Sequence, residues 1–359
     1  MGTLGTTRRL ILNLHLSIAL SAGALLVVLG VTGSILSFAP ELDRLFHSHL
    51  SYVSPRGRVL TLQEIGDAVS RVFAGEPIVT YLPSTSPDIS AQVVLPRGIV
   101  YVNQYTGEVL GVRTRGQTFL GLVRALHTRL GAGDLGRSVL KWSGVAMLLL
   151  LASGSYLWWP AKRVRIRGGW RRRGFWFDVH NSVGIFSLLP LLVLAATGTA
   201  IGFEDQAEFL LEKATGSAPD RAVRWTAPQN PSTGAVPITP DQAVAIACAA
   251  IPGTIADRVQ MPRYGGIYRV SLENPSDRIA GGDNMVAIDP YNGNVLSSVR
   301  SNDVSSVKRI LAGNEALHTG ERWGTPSRLL ACLASVIVPV QMISGIVMWW
   351  RRRKAAPLA

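Results

Sequence analysis

Four runs of apolar residues punctuate the chain. Each is long enough to cross a hydrocarbon layer about 30 Å thick, which takes roughly 20 helical residues. They are Leu10–Phe38, Leu140–Trp159, Phe175–Phe203 and Leu329–Trp350. The segments after the first and third runs are too long and too patterned to be loops. Each opens with a helix start: Thr61-Leu62-Gln63-Glu64 before Ile65, Ala68 and Val69, and Thr239-Pro240-Asp241-Gln242 before Ala243, Val244 and Ala247. A threonine with Glu or Gln three residues on is a capping box, and Pro240 suits the first helical position. Strands follow, with turns at Asn103-Gln104-Tyr105-Thr106-Gly107 and Asp289-Pro290-Tyr291-Asn292-Gly293, whose glycines supply positive φ. Two small α+β domains are expected, at 52–112 and 230–300.

The pattern occurs twice. Positions 15–38 and 180–203 share 8 of 24 residues, including His15 and His180 and the pairs Thr32-Gly33 and Thr197-Gly198. Ala125-Leu126-His127-Thr128 matches Ala316-Leu317-His318-Thr319. From those histidines, Ser153-Gly154 and Ser344-Gly345 fall at equal distances, as do Trp158-Trp159 and Trp349-Trp350. The expected fold class is a mainly α membrane protein, with a four-helix transmembrane bundle from a tandem duplication and two small extramembrane domains. Both halves enter the membrane from the same side, so the repeat is parallel.

Composition agrees with this pattern. Of 359 residues, 47% are hydrophobic and 16% charged, too few charges for an all-soluble chain and too much apolar material for disorder. The net charge of +13 resides in three segments: Arg8 and Arg9; Lys162, Arg163, Arg165, Arg167 and Arg171–Arg173 in the loop 160–174; and Arg351–Lys354. The rest of the chain balances 23 basic against 23 acidic residues. Cations that abut apolar spans are the positive-inside signature, which argues against nucleic acid and places both termini and the loop 160–174 in the cytoplasm. The tryptophan pairs close the second and fourth spans as interfacial belts. The first run is about twice the length of a signal-peptide core and is read as a retained helix. Cys248 and Cys332 offer no disulfide framework.

Six histidines are the candidate chemistry. His47 and His49 follow the first span in a charged stretch and have no counterpart in the second half, as expected of surface or interface residues, with replacement of an outer ligand by one of them as the alternative. The other four form two equivalent pairs: His15 with His180 near the cytoplasmic side, and His127 with His318 near the opposite side. Imidazoles facing each other across a helix bundle suit haem iron, and bis-imidazole ligation suits electron transfer. Small residues near the ligands (Ala19, Ala22 and Gly23; Gly184) leave room for a macrocycle. The two levels are expected to lie about 20–25 residues apart along a helix, or roughly 30–35 Å. Arg137 and Arg328, equivalent in the repeat, are candidates to pair haem propionates, with interface snorkelling as the alternative. A structural, hydrogen-bonded role for all four histidines is the competing reading. The run Gly131-Ala132-Gly133-Asp134-Leu135-Gly136 fits the dinucleotide pattern, but it follows no strand and is read as a loop.

The His…Thr-Gly span and the Ala-Leu-His-Thr…Ser-Gly…Trp-Trp-basic span, each present twice, resemble the PepSY-associated transmembrane family of bacterial inner-membrane proteins. The helix-plus-hairpin segments resemble PepSY domains. The family includes ferric-siderophore reductases that hold haem in the bundle. The resemblance therefore implies an inner-membrane oxidoreductase with two haem b groups on His15, His180, His127 and His318, and periplasmic PepSY-like domains. It also implies ferric siderophore as partner, docked on the outer face between those domains, and a quinol or cytoplasmic reductase as electron donor. Two other readings stand beside it: a cofactor-free scaffold whose small domains bind a periplasmic protein or peptide, and a haem-bearing reductase for another acceptor.

Overall fold

The computed structural model describes residues 2–84, 86–114, 118–160, 162, 164–217, 236–262, 266–274, 284–300, 303 and 305–354. Residues 230–235, where the second small domain is expected to open, and Arg163 of the basic loop lie outside these. In chain order the elements are α1 (Gly2–Leu36), α2 (Ala39–Phe46), α3 (Ser48–Ser51), α4 (Leu62–Val72), β1 (Thr80–Leu82), β2 (Ala91–Leu95), β3 (Gly98–Val102), β4 (Val109–Thr114), α5 (Phe119–Arg129), α6 (Gly133–Trp158) and α7 (Arg173–Gly202). They continue with α8 (Glu204–Thr215), α9 (Pro240–Ala250), β5 (Ile255–Gln260), β6 (Tyr268–Glu273), β7 (Asn284–Ile288), β8 (Val295–Val299), α10 (Ser306–Thr319) and α11 (Thr325–Lys354). Contacts divide them into a helix unit (residues 1–39, 122–210 and 313–359) and a sheet unit (40–121 and 211–312).

In the helix unit, α1, α6, α7 and α11 are each long and apolar enough to cross a membrane. α1 packs against α6 and α11, and α7 packs against the same two, so α1 and α7 stand at opposite corners. The helices meet at a waist of Leu26, Leu150, Leu191, Ala334 and Val338. Their outward faces carry bare apolar side chains such as Leu10, Phe186 and Leu189, suited to lipid rather than water. α6 starts at Gly133, ahead of the apolar run at Leu140, because the polar turn Asp134–Arg137 continues its helix. The dinucleotide-like glycines therefore sit at a helix–helix turn.

In the sheet unit, eight antiparallel strands form one sheet in the order β4-β3-β2-β1-β5-β6-β7-β8. The strands of the two expected small domains are joined at a seam, where Thr80 pairs with Gln260 and Tyr81 with Val259. This pairing removes two sheet edges that would otherwise be unpaired. One face, with Val93, Val100, Val102, Val259, Val270, Val286 and Ile288, packs against α4 and α9.

Both helices start as their sequences dictate. Thr61 with Glu64, and Thr239 with Gln242, form complete capping boxes. The Arg58 guanidinium beside Glu64, with the Thr61 amide, pulls that carboxyl down to about 2. Asp241 in the first turn of α9 also accepts from the amides of Leu62 (2.8 Å) and Gln63 (2.9 Å) in the first turn of α4. One carboxylate thus serves the positive ends of two helices. The turns at Gly107 (φ 73°) and Gly293 (φ 74°) share one device: the side-chain oxygens of Asn103 and Asp289 accept from the amides of Tyr105 and Tyr291.

Candidate cofactor sites in the helix unit

The four repeated histidines fall at two levels of the helix unit. His15 on α1 and His180 on α7, from opposite corners, line one cavity of about 490 Å³. That volume is within the range of ligand and cofactor pockets. Its walls are mostly apolar, with Leu16, Leu188 and Ile346 among them. At the second level, the rings of His127 on α5 and His318 on α10 have centres 6.4 Å apart and planes 39° apart.

Each histidine is gripped in the same way. Nδ1 of His15 lies 2.8 Å from Ser153 Oγ, and Nδ1 of His180 lies 2.9 Å from Ser344 Oγ. Nδ1 of His127 is 2.9 Å from Thr32 Oγ1, and Nδ1 of His318 is 3.0 Å from Thr197 Oγ1. All four hydroxyls also reach a carbonyl of their own helix: Ser153 to Leu149, Ser344 to Gln341, Thr32 to Val28, and Thr197 to Val193. A hydroxyl has one proton, and a helix carbonyl can only accept it. With that proton given to the carbonyl, the hydroxyl oxygen accepts the Nδ1–H of the imidazole. At His180 the Gln341 carbonyl, 3.2 Å from Nδ1, requires the same tautomer. The carbonyls of Leu29 and Leu194 also hydrogen-bond the rings of His127 and His318. With the ring proton on Nδ1, each imidazole keeps its lone pair on Nε2, a form that can bind a metal, and the Nδ1 contact fixes the ring's orientation.

The glycine after each hydroxyl completes the grip. A Cβ at Gly154 or Gly345 would stand 3.5 Å from Cε1 of His15 or His180. A Cβ at Gly33 would stand 3.2 Å from Cε1 of His127, and one at Gly198 would stand 2.7 Å from that of His318. The repeated Ser-Gly and Thr-Gly pairs are seats for imidazoles: the first residue orients Nδ1 and the second admits the ring edge. The repeat was visible in the sequence, but this role was not, because each pair lies on a different helix from its histidine.

Several expectations need correction. Seventeen residues separate His15 from Thr32, and His180 from Thr197, so the levels lie about 25 Å apart rather than 30–35 Å. The reason is that His127 and His318 sit on the separate helices α5 and α10 and reach threonines within α1 and α7. Ala19 and Gly184 line the cavity, but Ala22 packs into the waist, and the space over Gly23 is filled by Met342. Arg328 donates from Nε to the carbonyl of Ser37 (2.9 Å), and its guanidinium stacks 4.8 Å from the Phe38 ring. Arg137 is exposed. His47 and His49 belong to the sheet unit, where Nδ1 of His47 contacts the Asp43 carbonyl at 3.1 Å and His49 is exposed.

The donor set fits haem. Each level offers two imidazoles, which would hold the iron of a porphyrin that supplies its own four nitrogens. Among the described residues, no group of three or more His, Cys, Asp or Glu side chains comes together, as a protein-ligated zinc site requires.

Residues 12–352 match the PepSY-associated TM region. Comparison with curated proteins finds no match. With four apolar helices spread along the matched length, the chain is a membrane protein of the PepSY-associated transmembrane family.

Proposed function

We propose that this protein is a di-haem oxidoreductase of the bacterial inner membrane that delivers electrons to ferric siderophore on the periplasmic side. The observation that supports the reading is the uniform grip on four histidines, each with Nδ1 engaged by a hydroxyl of a neighbouring helix, in pairs at two levels of the helix unit. A merely structural histidine needs only a satisfied hydrogen bond, with no preference for which nitrogen keeps its lone pair. The cation clusters at the N-terminus, in the loop 160–174 and at the C-terminus support cytoplasmic ends for the bundle. The two halves of the sheet are read as PepSY-like domains and the whole chain as a tandem duplication, supported by the repeated helix-plus-four-strand order.

Bound at these levels, haem b supplies one-electron redox chemistry. A quinol or a cytoplasmic reductase is the donor: each iron(III) takes one electron, so one quinol reduces two irons, leaving quinone and two protons. Siderophore oxygens hold the less charge-dense iron(II) far more weakly, and the metal is released. The chain's own part is positional. Ser153, Ser344, Thr32 and Thr197 orient the imidazoles, and Leu26, Leu150 and Leu191 keep water from the waist between the levels. No side chain is assigned as general acid or base.

The test is the absorption spectrum and haem stoichiometry of protein purified from haem-replete cells. Two haems per chain, a sharp Soret band and reoxidation of the reduced protein by ferric siderophore are expected. A colourless preparation overturns the reading in favour of the scaffold. Reoxidation by other acceptors but not by ferric siderophore moves the substrate.

A further inference from the structure

We infer that Arg8 and Arg352 form an anion-binding rim on the cavity between His15 and His180, and that they pair the propionate carboxylates of a porphyrin seated there. The inference rests on the haem reading above and specifies which way the inner cofactor faces. Among the described lining residues, Arg8 and Arg352 are the charged ones, and no carboxylate faces the cavity.

The two cations come together at one end because α1 and α11 run antiparallel. A Cβ at Gly33 meets Ser335 and one at Gly23 meets Met342, so positions fall on α1 as they rise on α11. Continuing that register carries Arg8 and Arg352 to the same end. Arg8 lies seven residues, or about 10 Å, from His15, and Arg352 lies eight residues, or about 12 Å, from Ser344, the partner of His180. One NH2 of Arg8 is fixed by the Leu157 carbonyl at 3.0 Å, which aims the guanidinium and leaves other N–H donors for a ligand.

The cavity thus has apolar walls, two imidazoles in its depth and two guanidinium groups at one rim. Its ligand must be an amphiphile with a flat apolar body and anionic groups at one edge, and arginine forks match carboxylates. A lipid phosphate offers the same anionic chemistry at this rim, and the experiment separates the two.

Arg8→Gln, Arg352→Gln, the double variant and Arg9→Gln as control are purified with their haem, in nanodiscs. Redox titrations at several pH values resolve the two haems, and haem transfer to an apo-globin gives dissociation rates. Each rim substitution is expected to speed loss of the inner haem roughly three- to tenfold. It should also lower the inner haem's potential, because an unpaired propionate favours the ferric state, and shift its pH dependence upward. The outer haem and Arg9→Gln should match the unsubstituted protein, which shows that the fold persists, and Arg8→Lys should restore the potential in part. A red parent protein whose rim variants keep the inner haem's potential, pH profile and retention overturns the inference alone. So does loss of co-purified anionic lipid with the haem unchanged. A colourless parent protein overturns the haem reading and this inference with it.

Discussion

The hydroxyl of Thr197 stands 3.0 Å from Nδ1 of His318 while giving its own proton to the Val193 carbonyl 2.7 Å away. With that proton given away, the threonine oxygen is an acceptor toward the ring, and the imidazole's other nitrogen keeps its lone pair. Thr197→Val keeps the shape and removes the acceptor. Outer-shell losses of this kind typically cost 10–100-fold in metal affinity. The expected outcome is a protein that retains the inner haem and loses the outer one on dilution, measured as haem per chain by pyridine haemochrome.

The glycine seats predict an ordering. Gly198→Ala places a methyl 2.7 Å from Cε1 of His318, closer than carbon atoms tolerate, so the ring must turn and outer haem is lost. Gly154→Ala meets His15 at 3.5 Å, an ordinary contact, so haem is kept. Both changes favour a helix by about 1 kcal/mol. Gly154→Ala should therefore raise the thermal midpoint without changing the spectrum. Equal haem loss in the two variants counts against the seating role.

His180→Ala removes one of the two imidazoles from the cavity level only. Haem content should fall to about half, with the remaining signal belonging to the level of His127 and His318, and added imidazole should restore part of the loss. Unchanged stoichiometry counts against pairing His15 with His180.

Asp241 gives a prediction about the sheet unit. Asp241→Ala removes the acceptor for two amides of α4, at a cost of about 1 kcal/mol. Hydrogen exchange of the Leu62 and Gln63 amides should accelerate roughly fivefold, with haem content and spectrum unchanged.

Glu64 adds a pH dependence. Its folded-state value of about 2 lies below the ordinary 4.5, so its stabilising contribution is present above pH 4.5 and is lost as the pH falls toward 2. Arg58→Gln removes the main cause and should flatten the acid limb of a thermal-stability profile. Because both side chains are largely exposed, the change is small.

What the sequence disclosed was mostly local. The capping boxes at Thr61 and Thr239 and the turns at Gly107 and Gly293 depend on a few adjacent residues, and the structure has them as expected. The four apolar helices were legible for the same reason. Features that depend on which helices are neighbours were not. The space over Gly23 is filled by Met342, more than 300 residues away, and Arg328 bonds the Ser37 carbonyl 291 residues away, contacts that no local pattern carries. The seam between β1 and β5 was illegible because β1 has three residues and little pattern of its own.

That seam also sets a timetable for biogenesis. Thr80 waits for Gln260, 180 residues later in synthesis, before the central strands meet. At ordinary elongation rates of 5–20 residues per second, the interval is roughly 10–40 s. Throughout it the nascent first half carries a bare strand edge, open to the wrong partner, so yield of this protein should depend on whatever shields that edge until the second half arrives.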